Sequence, residues 1–140
     1  MKVTGTWQGG YQTLLEDSSG HSVTVDLPLY EGGKDRGPFA LELSVMSLAG
    51  CITTIFAIVA KKRRLKFEKM RVELEAVRPE GSPTIVAVDG LFHVSTSAPV
   101  EEVQTALSLT LRTCPVGVLF EHAHIPVRVR LEVGPLPMPA

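Results

Sequence analysis

Apolar and polar residues alternate over residues 2–7, 11–16 and 22–27, and these stretches are separated by Gly9-Gly10 and by Ser18-Ser19-Gly20. A period of two is that of a strand with one face covered, and glycine and serine clusters turn the chain. The pattern predicts an antiparallel meander of three short strands. Residues 28–38 hold two prolines, three glycines and four charges. That composition breaks the strand and leaves a loop of about ten residues, long enough to carry function.

The period changes at Phe39. From there to about Arg64 the pattern is helical, with apolar positions running almost all the way round, so the helix is expected to be buried on most sides. Lys61, Lys62, Arg63 and Arg64 mark its end, where cations meet the negative pole of the helix and its unpaired carbonyls. Alternation returns over 66–78 and 84–96 around Glu80-Gly81-Ser82-Pro83, which predicts a second hairpin. Ser97-Ala98-Pro99 opens another helix, with Glu101 and Glu102 at its positive pole. Val100, Val103, Leu107, Leu111 and Cys114 recur every three or four residues, so Cys114 closes a buried stripe. Pro115 breaks the ladder and starts a short helix through about His122; residues 125–133 form a last strand, and the proline-rich end from Gly134 is expected to fray.

Composition narrows the class. One domain over residues 1–140 is expected from the length, and 44% hydrophobic with 21% charged residues is a globular composition. A net charge of −1 argues against a generally basic nucleic-acid binder. The start, Met1-Lys2-Val3-Thr4, lacks an apolar leader, which makes the cytoplasm the expected compartment and free thiols the expected state of the two cysteines. The apolar stretch 41–60 approaches a membrane span in length. It carries Glu42, two serines, two threonines and a glycine, and reads better as a core helix.

Those two cysteines are the candidate chemistry. On the long helix Ser44, Ser47, Cys51 and Thr54 fall within one narrow stripe among Leu, Val, Met, Ile and Phe, a small, weakly polar seam that either leaves room for a reactant or lets another helix approach. An apolar helical site raises a thiol's pKa, so a nucleophilic Cys51 needs a cation. Arg36 in the preceding loop is the candidate, the alternative being a solvated charge. Glu42 is the matching carboxylate for Arg36, although a regular helix turns it away from Cys51, and it serves equally to complement the helix dipole. Cys114 sits where free amides at a helix start favour a thiolate, and it is the candidate resolving thiol. A bridge between the two cysteines would close a long loop, for which chain entropy suggests about 4 kcal/mol of stabilisation. Val45, Leu48, Ile52 and Ile55 are the expected apolar walls, with Ser47, Leu48 and Ile55 as the substrate pocket. His122 and His124 lie two apart, but the cysteines lack the close pairing of structural zinc sites, so neither metal nor cofactor is expected. His21 and His93 read as surface or satisfied side chains.

The chain resembles the OsmC/Ohr family of thiol-dependent peroxidases. The resemblance rests on Gly20-His21 leading to Val25-Asp26-Leu27-Pro28, on Gly32-Gly33 and Gly37-Pro38, on Leu41-Glu42-Leu43 running to Leu48-Ala49-Gly50-Cys51, and on Thr113-Cys114-Pro115-Val116. It implies an α+β fold in which antiparallel sheets wrap two central helices in an intertwined homodimer, with active sites at the interface. It also implies reduction of organic hydroperoxides through a Cys51 sulfenic acid and a Cys51–Cys114 disulfide. Arginine and glutamate assist the first thiol, and a dithiol such as a lipoylated protein returns the electrons. The chain differs from the best-known members in two places: their glutamate falls at the position of Leu41, and one branch has an arginine where Tyr11 follows Gly9-Gly10 here. It is closer to a less characterised branch, in which Arg36 and Glu42 stand in by proximity. Two other readings remain at this point: a non-catalytic dimer binding a small apolar ligand at its interface, and a structural dimer with inert thiols.

Overall fold

The computed structural model describes residues 1–135, so most of the tail expected to fray lies outside the described residues. The chain divides into two compact units, residues 1–46 and 47–140, with the boundary inside the long helix.

In the first unit, β1 (Val3–Trp7), β2 (Thr13–Asp17) and β3 (Ser22–Val25) form the expected antiparallel meander in the order β1-β2-β3. Thr13 pairs with both Trp7 and Val25. The loop that follows is folded tightly back on β3, and two glycines permit it. A Cβ on Gly33 would lie 1.9 Å from the Leu27 carbonyl oxygen, and one on Gly37 would lie 2.0 Å from that of Thr24. A single 3-10 turn, Leu29–Glu31, occupies part of this loop.

The carboxylate of Asp26 organises the same loop. It is 3% exposed and accepts from the backbone N–H groups of Leu27 at 2.8 Å and of Lys34 and Arg36 at 3.2 Å each. Burial by itself would raise this carboxyl's pKa; the amides of Arg36, Leu27 and Lys34, with the Lys34 charge, outweigh it and hold the group below its usual value. A lowered carboxyl contributes stability above its unfolded-state pKa, and that contribution is lost as pH falls through the folded value. Asp26→Asn is therefore expected to lower Tm by several degrees at neutral pH, with the gap to wild type closing below about pH 4. Thermal melts across a pH series check it, and a gap that persists in acid would mean that the charge is irrelevant.

The second unit holds the rest of α1 (Ala40–Lys62) and a sheet of β4 (Lys69–Val77), β5 (Ala87–Ser95) and β6 (Val127–Val133) in the order β4-β5-β6. The β4–β5 hairpin is antiparallel as its turn predicts. β6 instead runs parallel to β5, which demands a crossover, and α2 (Val100–Thr113) with α3 (Pro115–His122) supplies it. Helix α2 begins one residue later than its proline suggests, with Pro99 in the capping position.

Leu48, Ile52, Phe56 and Ala60 form the buried stripe of α1, at steps of four residues. They share the core with Val88, Phe92 and Val94 of β5 and Val103, Ala106 and Leu107 of α2, all fully buried. The Phe56 ring meets Phe92 at 4.6 Å and Phe67 at 5.7 Å between centroids. The helix ends by a left-handed residue, Arg64 (φ 56°), after which the Leu65 N–H reaches back to the Ala60 carbonyl and Leu65 enters the core. Helix α1 is long and apolar enough to cross a membrane, yet within the chain only one stripe of it is covered, and Ile58 is 45% exposed. A single copy of this small sheet supplies packing for one side of the helix.

Candidate active site

Cys51 lies beside the buried stripe of α1, next to Ile52, and is half-buried. Cys114 ends one helix and caps another. Its N–H closes α2 on the Thr110 carbonyl at 2.8 Å, its own backbone turns extended, and its carbonyl accepts from Val118 at 2.9 Å at the start of α3. The sulfur accepts from the Gly117 N–H at 3.4 Å, the place usually taken by a serine or aspartate oxygen. Pro115 fits the first turn of α3 because its missing N–H is not needed there. The sequence Thr113-Cys114-Pro115-Val116 is thus a bend of 62° between two helices with a thiol at its corner.

The fold brings the two thiols together. Both are free, and Cys51 is a hydrogen-bonding neighbour of Cys114. Burial pushes the Cys114 thiol up to about 11, the neighbouring Cys51 adds to the rise, and the Gly117 and Val116 amides oppose it without prevailing. The amides expected to favour a Cys114 thiolate are present; burial outweighs them. Cys51→Ala is expected to lower the Cys114 pKa from about 11 while leaving it above the ordinary thiol value, because burial is the larger cause. Site-resolved alkylation against pH measures this, and a variant titrating at the ordinary thiol value would remove burial from the account.

A cavity of about 510 Å³ opens beside Cys114, walled by Leu48 and Ile52 of α1, by Leu111, by Gly117 of α3 and by Ile125 to Val127, with Arg112, Glu121 and His124 around it. Of the residues expected to line a pocket, Leu48 and Ile52 do so. Ser47, Val45 and Ile55 do not: Ser47 is exposed on the helix, and the cavity lies toward Cys114. The contribution from the α3–β6 connection was invisible in the sequence, where His124 stood only as half of a weak metal pair. Among the described residues no group of three or more His, Cys, Asp or Glu is placed to hold a metal.

The other two candidates belong to the first unit, and the thiols to the second. Arg36 is exposed, with its backbone N–H tied to Asp26. Glu42 is exposed in the first turn of α1, where it complements the helix dipole. The two form no ion pair with each other among the described residues. His21 pairs with Asp17 at 2.8 Å on the surface, and His93 lies 3.9 Å from Glu132.

An α+β fold carrying two adjoining thiols, one of them at a helix-capping corner over an apolar cavity, defines a two-cysteine protein. The family model described as OsmC-like protein matches residues 32–130, and the chain belongs to that family. Solved structures agree on the fold. An OsmC-like protein from Mycoplasma pneumoniae is 12% identical with a TM-score of 0.83, covering 94% of this chain and 95% of its own. An organic hydroperoxide resistance protein OsmC from Legionella pneumophila is 16% identical with a TM-score of 0.69, covering 95% and 98%. The organic hydroperoxide resistance protein OhrB of Bacillus subtilis is 18% identical with a TM-score of 0.64, covering 94% and 96%. A search of the curated proteins finds no match.

Proposed function

We propose that this protein is a cytoplasmic, single-domain, thiol-dependent peroxidase that reduces organic hydroperoxides. The observation that carries the reading is the pairing of Cys51 with Cys114 inside the second unit, beside an apolar cavity. The family supports it, as do structural neighbours named for organic hydroperoxide resistance.

The two thiols divide the work by environment. A thiol held near 11 is ionised in about one molecule in ten thousand at pH 7. Cys114 is therefore a poor nucleophile at the outset, and Cys51, the more exposed of the two, is the thiol we assign to attack the peroxide. The Cys51 thiolate takes the terminal peroxide oxygen, the O–O bond breaks, and the alcohol leaves with a proton. Cys114 then attacks the resulting sulfenic acid, the S–S bond forms, and water departs. Arg36 and Glu42 are the charged groups we assign to supporting the Cys51 thiolate and placing substrate, in an intertwined homodimer whose second copy covers the open side of α1. A dithiol reductant, such as a lipoylated protein, reopens the disulfide.

One equivalent of cumene hydroperoxide, followed by peptide mapping, tests the reading. A Cys51–Cys114 disulfide formed as peroxide disappears supports it; thiols left untouched while peroxide persists would end it. The cavity also favours a second reading, a non-catalytic dimer that binds a small apolar ligand, since about 510 Å³ lies within the ordinary size of ligand pockets. A ligand released on denaturing the purified protein, with binding indifferent to Cys51→Ser, would favour this alternative.

A further inference from the structure

Residues 61–66 read Lys-Lys-Arg-Arg-Leu-Lys, five cations in six positions, and all five are exposed. The chain has 14 Lys and Arg against 15 Asp and Glu, so with these five set aside nine remain against the fifteen. Basic charge is thus concentrated at one end of α1 in a protein that is otherwise acidic. Among the described residues none of the five takes part in an ion pair or a side-chain hydrogen bond, and Glu68, the one carboxylate over residues 61–70, is not paired with them.

The helix dipole accounts for part of this run. Helix α1 ends at Lys62, and the attraction of a cation to the negative pole falls off within the last turn, so Lys61 and Lys62 are explained and Arg63, Arg64 and Lys66 are not. Arg64 also holds the left-handed conformation (φ 56°) that closes the helix, where glycine is the residue without a steric penalty. Five like charges so close together repel one another. The fold therefore keeps these cations against repulsion and backbone strain, with no internal anion to offset either. An external anion supplies what is missing.

We infer that this end of α1 docks on an anionic phospholipid surface. Clusters of Lys and Arg of this size hold to anionic headgroups, each cation contributing about fivefold in affinity. A headgroup plane offers phosphates throughout, so a blunt helix end meets several at once without a matched pocket. Nucleic acid fits less well. Reading a duplex takes a helix or strand pair laid in a groove, and holding a single strand takes exposed rings for stacking. Phe67, the aromatic residue of this segment, is half-buried and packs on Phe56 in the core. Leu65 is buried as well, so the run presents charge without an apolar anchor, and the contact is reversible and sensitive to salt. The inference does not depend on the thiols and would hold in a protein whose cysteines are inert.

Flotation of the full chain with vesicles tests it. Vesicles of equimolar phosphatidylglycerol and phosphatidylcholine are expected to carry the protein at low salt and release it as salt is raised, while phosphatidylcholine vesicles carry none. Replacing both Arg63 and Lys66 by Gln, which leaves the last helical turn as it is, is expected to weaken binding about twentyfold. Arg64→Gly is the sharper variant. It relieves the left-handed strain and removes one charge, so Tm is expected to rise while binding falls about fivefold, a combination that misfolding does not produce. Equal flotation with both kinds of vesicle, variants that bind as tightly as wild type, or tighter binding to a DNA duplex than to the anionic vesicles at the same salt would each overturn the inference.

Discussion

Cys51→Ser is expected to reduce hydroperoxide turnover to the uncatalysed background, while Cys114→Ser allows one equivalent of peroxide to be consumed and then stops. The asymmetry follows from the division of roles. A serine hydroxyl at position 51 has no accessible anion and no sulfur to oxidise, so the first step is gone and with it the whole acceleration, which for enzymes is on the order of 10⁶ or more. A serine at 114 leaves that step intact and removes the partner that turns a sulfenic acid into a disulfide. Stopped-flow peroxide loss, with mass spectrometry of the protein after one turnover, separates the two cases. If Cys51→Ser retains turnover and Cys114→Ser loses its first equivalent, the assignment is reversed, and the half-buried thiol is not the nucleophile.

The second large effect concerns what holds the thiols together. Phe56→Ala is expected to cost about 3–5 kcal/mol, because a buried aromatic side chain is lost and a cavity is left where surrounding groups relax only in part. Phe56 is fully buried and touches both Phe92 of β5 and Phe67 before β4, so its removal separates helix from sheet at the centre of the core. Small domains have about 5–15 kcal/mol of stability in all, so the variant is expected to remain folded only near the margin. Phe56 lies one helical turn beyond Ile52, on the same stripe that places Cys51. Disulfide formation by the folded fraction should slow as well. Urea midpoints give the first quantity and alkylation rates the second; an unchanged midpoint would contradict the packing account.

Much of the fold was legible in the residue pattern. The meander, the long helix, the second hairpin and the bend at Cys114-Pro115 all followed from period, turn residues and proline position. These are local constraints, set by a few neighbours along the chain. The loop motif was legible too, although its reason was not. Gly33 and Gly37 serve because carbonyls of Leu27 and Thr24 pass too close for any side chain, a fact that exists only once the loop has folded back. What covers α1 was not legible, because periodicity records which side chains are apolar, not how much of one chain is available to cover them.

The residue pattern by itself determined the elements, the capping corner at Cys114 and the two sulfurs as candidate chemistry. Tertiary structure decided that β6 runs parallel to β5, that this crossover carries α2 and α3 across the sheet, and that Cys114 arrives beside Cys51 in the wall of a cavity. The physical reason is separation along the chain. Local preferences extend over a turn or two, whereas the meeting of two thiols on α1 and at the α2–α3 corner depends on strand pairing and core packing between distant segments. Burial then raised the pKa of Cys114 against the amides that its sequence neighbours provide.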